Sequence, residues 1–151
     1  MTIQEIISLI QHNKADYGIT LYPPASESQL IEFEKRLNIK LPVDIAEFYR
    51  FANGFESEED MFRIIPLDEI LRNADRYDDN AFYIAEYMTY CDMWEIVIDP
   101  VNSRYSRYKI QDSSSKTVLT NSFSDFLGHF LQGGVFEDNG LYDWKTQIHN
   151  K

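Results

Sequence analysis

The 151-residue chain is short of the residue types that build metal and disulfide sites. Its single cysteine, Cys91, excludes an internal disulfide framework and a cysteine-rich zinc site. Its three histidines lie far apart, and no two have the spacing of metal ligands on one helix. We therefore expect a protein that holds no metal.

Long hydrophobic runs are also missing from the sequence. None approaches the roughly 18 residues that a membrane-spanning helix needs. The first five residues, Met-Thr-Ile-Gln-Glu, carry no basic segment of the kind that begins a signal peptide. These two absences, together with the scarcity of cysteine, predict a cytoplasmic location and no contact with membranes.

Sequence motifs for catalysis are absent too. There is no glycine-rich phosphate loop, no His-Glu-x-x-His pattern and no Gly-x-Ser-x-Gly elbow. Cys91 has no basic neighbour in sequence that would activate its thiol. We expect neither an enzyme nor a cofactor. A pair of carboxyl groups acting on a carbohydrate remains an alternative, because such chemistry needs only two carboxyls about 5–10 Å apart across a cleft.

Basic residues are scarce, and the acids are concentrated. The chain has 25 acidic and 14 basic residues, which gives a net charge of −11. Residues 51–100 hold 13 of the acids and only 3 of the bases, so the middle third supplies most of the negative charge. Such a surface repels nucleic acid and anionic lipid and attracts a basic partner. The alternative is an acidic surface that only aids solubility.

What the chain does have is helical periodicity at both ends. Apolar residues recur every three or four positions after Thr2 and after Ser26, and both starts have capping-box patterns. Proline and glycine mark further boundaries. The predicted helices cover residues 3–13, 26–38, 41–53, 66–74 and 122–133. The tail carries Leu141, Tyr142 and Trp144, which predicts that it docks on the body of the protein.

The middle of the chain has strand-like segments separated by short turns. The predicted strands cover residues 61–65, 81–87, 94–99, 104–110 and 116–120, with hairpin loops at 99–103 and 112–116. This spacing indicates an antiparallel meander. Helices set apart from such a sheet predict one α+β domain over residues 1–151, with helices packed on a mostly antiparallel sheet. The second face of the sheet carries tyrosines and charged residues and is a candidate binding surface.

An ordered set of motifs between residues 24 and 131 resembles the SMI1/KNR4 family, also called the SUKH superfamily. The motifs are Pro24-Ala25-Ser26-Glu27, Leu30, Phe33-Glu34, Leu37-Asn38-Ile39-Lys40-Leu41-Pro42, Phe48-Tyr49, Asn53-Gly54, Ile64-Ile65-Pro66-Leu67-Asp68-Glu69-Ile70 and Ser122-Phe123-Ser124-Asp125-Phe126-Leu127. The resemblance implies an α+β fold. It differs at one point, because many members have a glycine-rich turn where this chain has Tyr90-Cys91-Asp92-Met93.

The resemblance also implies a kind of function. Many bacterial members of the family are immunity proteins that bind and neutralise toxins, often nucleases, whereas eukaryotic relatives act as regulators or scaffolds in cell-wall signalling. No catalytic residue comes with the family. We expect the residues that match the family's motif to stabilise the fold and not to bind a partner. They are Glu34, Leu41, Pro42, Asn53 and Gly54.

Resemblance and charge together predict an immunity protein that binds a basic, nuclease-type toxin without touching nucleic acid itself. A nuclease must present Lys and Arg to phosphates, and clustered carboxylates can cover that surface. Aromatic side chains would supply anchors. The predicted partner-binding residues are Glu56, Glu58, Glu59 and Asp60 in the loop after Gly54, then Asp75, Asp78 and Asp79, and the aromatics Tyr83, Tyr87, Tyr90 and Trp94. A regulatory scaffold remains the alternative, and core packing is the alternative for each aromatic.

Overall fold

A computed structural model of the protein describes residues 1–100 and 107–150. Within these residues the chain forms six α-helices and seven β-strands. The helices are α1 (Ile3–Asn13), α2 (Glu27–Leu37), α3 (Val43–Phe51), α4 (Leu67–Arg72), α5 (Phe123–Gly133) and α6 (Leu141–His149), with a 3-10 helix at Ala74–Arg76. The strands are β1 (Ile19–Leu21), β2 (Phe55–Ser57), β3 (Phe62–Ile64), β4 (Ala81–Tyr87), β5 (Asp92–Ile98), β6 (Tyr108–Asp112) and β7 (Val118–Thr120).

The strands form one sheet in which each strand pairs with the next one along the chain. The order is β1-β2-β3-β4-β5-β6-β7, and every pair is antiparallel. The predicted α+β class and antiparallel meander are therefore confirmed. Residues 101–106, which include most of the predicted 99–103 loop and the first part of the predicted 104–110 strand, lie outside the described residues.

The helix boundaries follow from local capping. The Thr2 hydroxyl accepts a hydrogen bond from the Glu5 backbone N–H at 3.1 Å, and Ser26 and Gln29 form a reciprocal capping box. Asn38 ends α2 in the left-handed conformation, with φ +54°. Ser122 caps α5 by accepting from the backbone of Asp125. These ends lie close to the predicted ones because capping depends on a few adjacent residues.

Three elements differ from the sequence-based prediction. Strands β1 and β2 were not predicted, and Glu56 lies within β2 rather than in a loop. Each strand has three residues, so alternation gives a weak signal there, as it does for the equally short β3 and β7, which were predicted. Pairing with neighbouring strands is what makes these segments strands: in β2, Phe55 lies opposite Ile64 of β3 across a tight turn. The tail docks as predicted, but as helix α6.

One face of the sheet, called the helix face below, packs against the helices through aromatic rings. Phe62 on β3 stacks on Phe130 of α5 with ring centroids 4.2 Å apart, and Phe82 on β4 meets Phe33 of α2 edge to face. Trp94 is 1% exposed and contacts Phe126. Interlocked rings of this kind bury large apolar areas and fix the helices over the sheet.

The opposite face, called the polar face below, carries charged side chains. Arg63 lies opposite Glu86, and Glu95 lies opposite Gln111. A register shift between Tyr83 and Ala85 adds one residue to β4. The bulge changes the alternation along the strand, so Tyr83 lies on the polar face and Tyr87 on the helix face.

The motif residues Asn53 and Gly54 hold the start of the sheet to α4. The Asn53 side-chain oxygen accepts from the backbone N–H of Leu67 at 2.9 Å and so caps α4 from a distant segment. Gly54 has φ +93°, and a Cβ there would lie 2.2 Å from the carbonyl oxygen of Ile64. Glu34 likewise accepts from the backbone of Leu41 at 2.7 Å. These contacts agree with the structural roles expected for the motif.

We expect Gly54→Ala to lower the free energy of unfolding by more than about 2 kcal/mol, because the residue would need both a left-handed backbone and space that a carbonyl occupies. The control is Gly128→Ala in α5, where a new Cβ would meet only the Ile6 Cδ1 at 3.9 Å. Alanine favours the helix there, so this variant should match the wild type or exceed it by up to about 1 kcal/mol. Urea unfolding measures both, and equal stabilities would contradict the prediction.

Candidate partner-binding surface

Several acidic segments converge at one end of the sheet. In an antiparallel meander, alternate connections lie at the same end. The connections at residues 14–18, 58–61, 88–91 and 113–117 therefore share one end, called the turn end below. The loop between α5 and α6 reaches it as well, because the Val135 backbone N–H donates to the Asp60 carboxylate at 3.2 Å. The turn end thus gathers residues that are more than a hundred positions apart in sequence.

The convergence forms a cleft of about 430 Å³ on the helix-face side of the turn end. The lining includes four carboxylates from three segments, namely Asp16, Glu59, Asp60 and Glu137. We call this the acidic cleft. The described residues that line it include no lysine or arginine. The last turn of α5 also lines the cleft, and a helix C-terminus adds partial negative charge.

Aromatic rings flank the carboxylates of the acidic cleft. Tyr17 is half-buried in its wall, and Phe136 is 56% exposed at its edge. The Phe136 ring lies edge to face against Tyr87, with centroids 5.2 Å apart. Exposed aromatic surface beside negative charge suits a cationic side chain, which both carboxylates and ring faces attract.

The structure divides the predicted acidic residues between two ends of the sheet. Glu58, Glu59 and Asp60 lie in the β2–β3 turn, at the turn end. Asp75 lies in the 3-10 helix and Asp78 and Asp79 precede β4, at the opposite end. The seven residues of β4 separate the two groups by about 20 Å. They therefore do not form one continuous surface.

The predicted aromatic anchors are divided as well. Trp94 was predicted as an anchor, but it is buried in the core and offers no exposed surface. Tyr87 packs under Phe136 and Tyr142 on the helix face, whereas Tyr83 meets the Tyr77 ring on the polar face. Tyr90 lies half-buried in the β4–β5 turn. Of the four, Tyr87 has a ring contact with a residue that lines the acidic cleft, Phe136.

Sequence reasoning missed several residues of the acidic cleft. Asp16 and Tyr17 precede β1, which was not predicted, so nothing placed them near the β2–β3 turn. Glu137 and Phe136 lie in the last third of the chain, where acids do not outnumber bases. The Gly133-Gly134 pair gave an indirect signal, since it allows the chain to turn tightly after α5 and pass close to Asp60.

On the polar face, one arginine joins two acidic side chains. Both terminal nitrogens of Arg63 donate to the Glu69 carboxylate, and its Nε donates to Glu86 at 2.7 Å. The second oxygen of Glu86 accepts from the Tyr90 backbone N–H at 2.7 Å, and the Tyr90 hydroxyl donates to Glu69. The four residues form a closed network, and Glu86 is only 3% exposed.

This network explains the shape of the turn that lacks the family's glycines. Met88, Thr89 and Tyr90 all have left-handed backbones, with φ of +50°, +51° and +64°. Such conformations cost of order 1 kcal/mol each for residues other than glycine. The hydrogen bonds from Tyr90 to Glu86 and Glu69 hold the strained turn in place.

The network shifts the proton affinities of its members. Hydrogen bonds from Arg63 hold the pKa of Glu69 below its usual value. Burial, assisted by the Glu69 carboxylate, raises the pKa of Tyr90 to about 12.

Asp112 on β6, outside this network, also has a shifted pKa. Burial alone would raise the pKa of Asp112, but hydrogen bonds from Ser115 and Ser114 and the charge of Lys145 bring it below its usual value. Each shift follows from the burial of the group and from the hydrogen bonds and charges around it.

The described residues were also compared with the requirements of a metal site and of a membrane-spanning helix. Over residues 1–100 and 107–150, no group of three or more His, Cys, Asp or Glu side chains has the arrangement of a metal site. Within the same residues, none of the helices combines the length and apolarity needed to cross a membrane.

The sequence of the chain is similar to a known protein family and to a curated yeast protein. A family model described as "SMI1 / KNR4 family (SUKH-1)" matches residues 24–129. A curated protein named KNR4/SMI1 homolog 1, from Debaryomyces hansenii, is 30% identical over 77 residues. The match covers 46% of this chain and 17% of the yeast protein, so the similarity concerns a small part of that longer relative.

We expect Glu69→Gln to lower the free energy of unfolding by about 1 kcal/mol near neutral pH, because a charge-assisted pair that is partly in water is lost. A carboxyl whose folded pKa is depressed stabilises the fold above its unfolded pKa, and this contribution disappears as pH falls through the folded pKa. The difference between variant and wild type should therefore shrink below about pH 4. Urea unfolding across this pH range measures it.

The control is Asp68→Asn on the same helix, whose pairing with Arg72 at 3.4 Å is exposed to solvent. It should cost at most a few tenths of a kcal/mol. An effect of Glu69→Gln that is no larger than the control, or that is the same at every pH, would contradict the role given to Arg63.

Proposed function

The chain belongs to the SMI1/KNR4 family (SUKH-1), as its motifs predicted. We propose that it is an immunity protein, and that its own turn end binds and neutralises a basic, nuclease-type toxin. The observation that carries the proposal is the acidic cleft, where four carboxylates from three distant segments meet without a lysine or arginine among the described lining residues. Charge that is not neutralised within the protein is available to a partner.

Charge complementarity gives such an inhibitor speed. A nuclease concentrates Lys and Arg where it holds phosphates. An acidic surface draws that region in, and steered association reaches about 10⁸–10⁹ M⁻¹s⁻¹ at low salt. Speed matters because each free toxin molecule turns over many substrates. The proposal involves binding only, with no catalysis, cofactor or direct contact with nucleic acid, and it places the protein in the cytoplasm with its toxin.

The first test is functional. The chain is co-expressed with the toxin domain encoded beside its gene, and both survival and co-purification of a complex are scored. We expect rescue and a stable complex. The second candidate, a regulatory or scaffold protein, is favoured by the similarity to KNR4/SMI1 homolog 1. It predicts no adjacent toxin gene and no rescue, so the same experiment separates the two.

The second test locates the surface. A triple variant, Asp16→Asn, Glu59→Gln and Glu137→Gln, removes three exposed charges from the acidic cleft but keeps Asp60, which holds the Val135 backbone. We expect its association rate with the toxin to fall about tenfold at low salt and its salt dependence to flatten. Stopped-flow kinetics at several ionic strengths measures both.

The matched control changes Asp75, Asp78 and Asp79 to Asn. These residues are also exposed, and their loss alters the net charge by the same amount at the opposite end of the sheet. The control should have a much smaller effect. If both triple variants slow association equally, net charge alone is responsible, and the acidic cleft is not the binding surface.

A further inference from the structure

Two exposed methionines lie side by side at the turn end, on adjacent turns. Met61 in the β2–β3 turn is 54% exposed, and Met88 in the β4–β5 turn is 40% exposed. The Met88 backbone N–H donates to the Met61 carbonyl at 2.8 Å, so the two turn tips are held together. Single exposed apolar residues are ordinary, but two soft, polarisable side chains on turns whose backbones are joined are typical of protein-binding surfaces.

The methionines border a cavity of about 280 Å³ next to the polar face. Glu56, Glu58, Arg63 and Glu86 line it, together with Met61 and Met88. We call it the methionine-rimmed cavity. It shares no lining residue with the acidic cleft, and the β2–β3 turn separates the two.

The charges in this cavity leave it negative. Arg63 is the one cation among the described residues that line it, and both sides of its guanidinium are already engaged by Glu69 and Glu86. Glu56 accepts only a 3.3 Å hydrogen bond from the neutral Tyr22 hydroxyl, and Glu58 is exposed. Arg63 lies directly opposite Glu56 in the β2–β3 pair, but among the described residues neither Glu56 nor Glu58 forms an ion pair, so both carboxylates face a cavity with an apolar rim.

We propose that the methionine-rimmed cavity binds an arginine or lysine side chain from the protein partner. The aliphatic stem of such a side chain packs against the two thioethers, while its charged head meets Glu56 and Glu58. The volume leaves room for the side chain and bound water, whose share of liquid volume is about 30 Å³ per molecule. The proposal rests on the proposed function, since it names the chemistry by which the basic partner is held.

The test uses peptides in place of the partner. The chain has four methionines, so methyl-labelled methionine gives four NMR signals, which Met→Leu variants assign. A tetra-arginine peptide is titrated at low salt, and the peptide with citrulline at each position serves as the neutral control. We expect the Met61 and Met88 signals to shift with tetra-arginine and not with citrulline, while the signal of Met1 stays in place.

A pair of double variants separates specific binding from general attraction. Glu56→Gln with Glu58→Gln should weaken the apparent affinity reported by Met61 and Met88 about fivefold. Asp16→Asn with Glu59→Gln removes the same charge from the acidic cleft and should leave it within about twofold. No shift of the two signals, or equal weakening by both double variants, overturns the proposal.

The peptide experiment can fail independently of the toxin experiment. If the chain rescues cells from the toxin but tetra-arginine leaves Met61 and Met88 unshifted, the immunity function stands and the cavity is not an anchor site. If the peptide binds as expected but no toxin is neutralised, the cavity recognises basic side chains and the proposed function is wrong.

Discussion

Pairing of the seven described strands in chain order is the constraint on which the candidate binding surface depends. A meander sends alternate connections to the same end of the sheet, so segments distant in sequence become neighbours without any crossover. The β2–β3 turn, the residues before β1 and the loop after α5 meet for this reason. The position of β2 is in turn fixed by Gly54, whose backbone passes within contact of the Ile64 carbonyl, and by Asn53, which ties this segment to α4.

The acidic residues of this chain have two different uses, which a net charge of −11 conceals. Glu69, Glu86, Glu95 and Asp112 each accept from a lysine or arginine and hold the sheet or its turns. Their charge is compensated locally and contributes little to a distant field. Asp16, Glu59 and Glu137 lie in a cleft whose described lining residues include no lysine or arginine. The charge that is available to a partner therefore comes from acids of this second kind, and an argument from composition alone overestimates that charge.

Much of the fold could be predicted from the sequence, because helix caps and apolar periodicity act over a few residues. Ser26 with Gln29, and Ser122 with Asp125, placed helix starts correctly for this reason. The acidic cleft, which is the candidate binding surface, could be predicted only in part. Glu59 and Asp60 were identified from local charge density, but Asp16 and Glu137 join them only through tertiary contacts. Tyr83 and Tyr87, four residues apart, lie on opposite faces because of a bulge that strand alternation does not reveal.

The β2–β3 turn is already fixed before any partner binds. Asp60 is hydrogen-bonded to the Val135 backbone on one side, and Met61 is bonded to the Met88 backbone on the other. A preformed turn loses little conformational entropy on binding, so more of the electrostatic attraction appears as affinity.

The β2–β3 turn also lies between two negatively charged cavities, the acidic cleft and the methionine-rimmed cavity. A basic loop that lies across the turn can place one side chain in the acidic cleft and another in the methionine-rimmed cavity. The second contact then forms within one complex, at high effective concentration. If both cavities bind basic side chains as proposed, partners are selected by the spacing of two such side chains, which charge alone does not do.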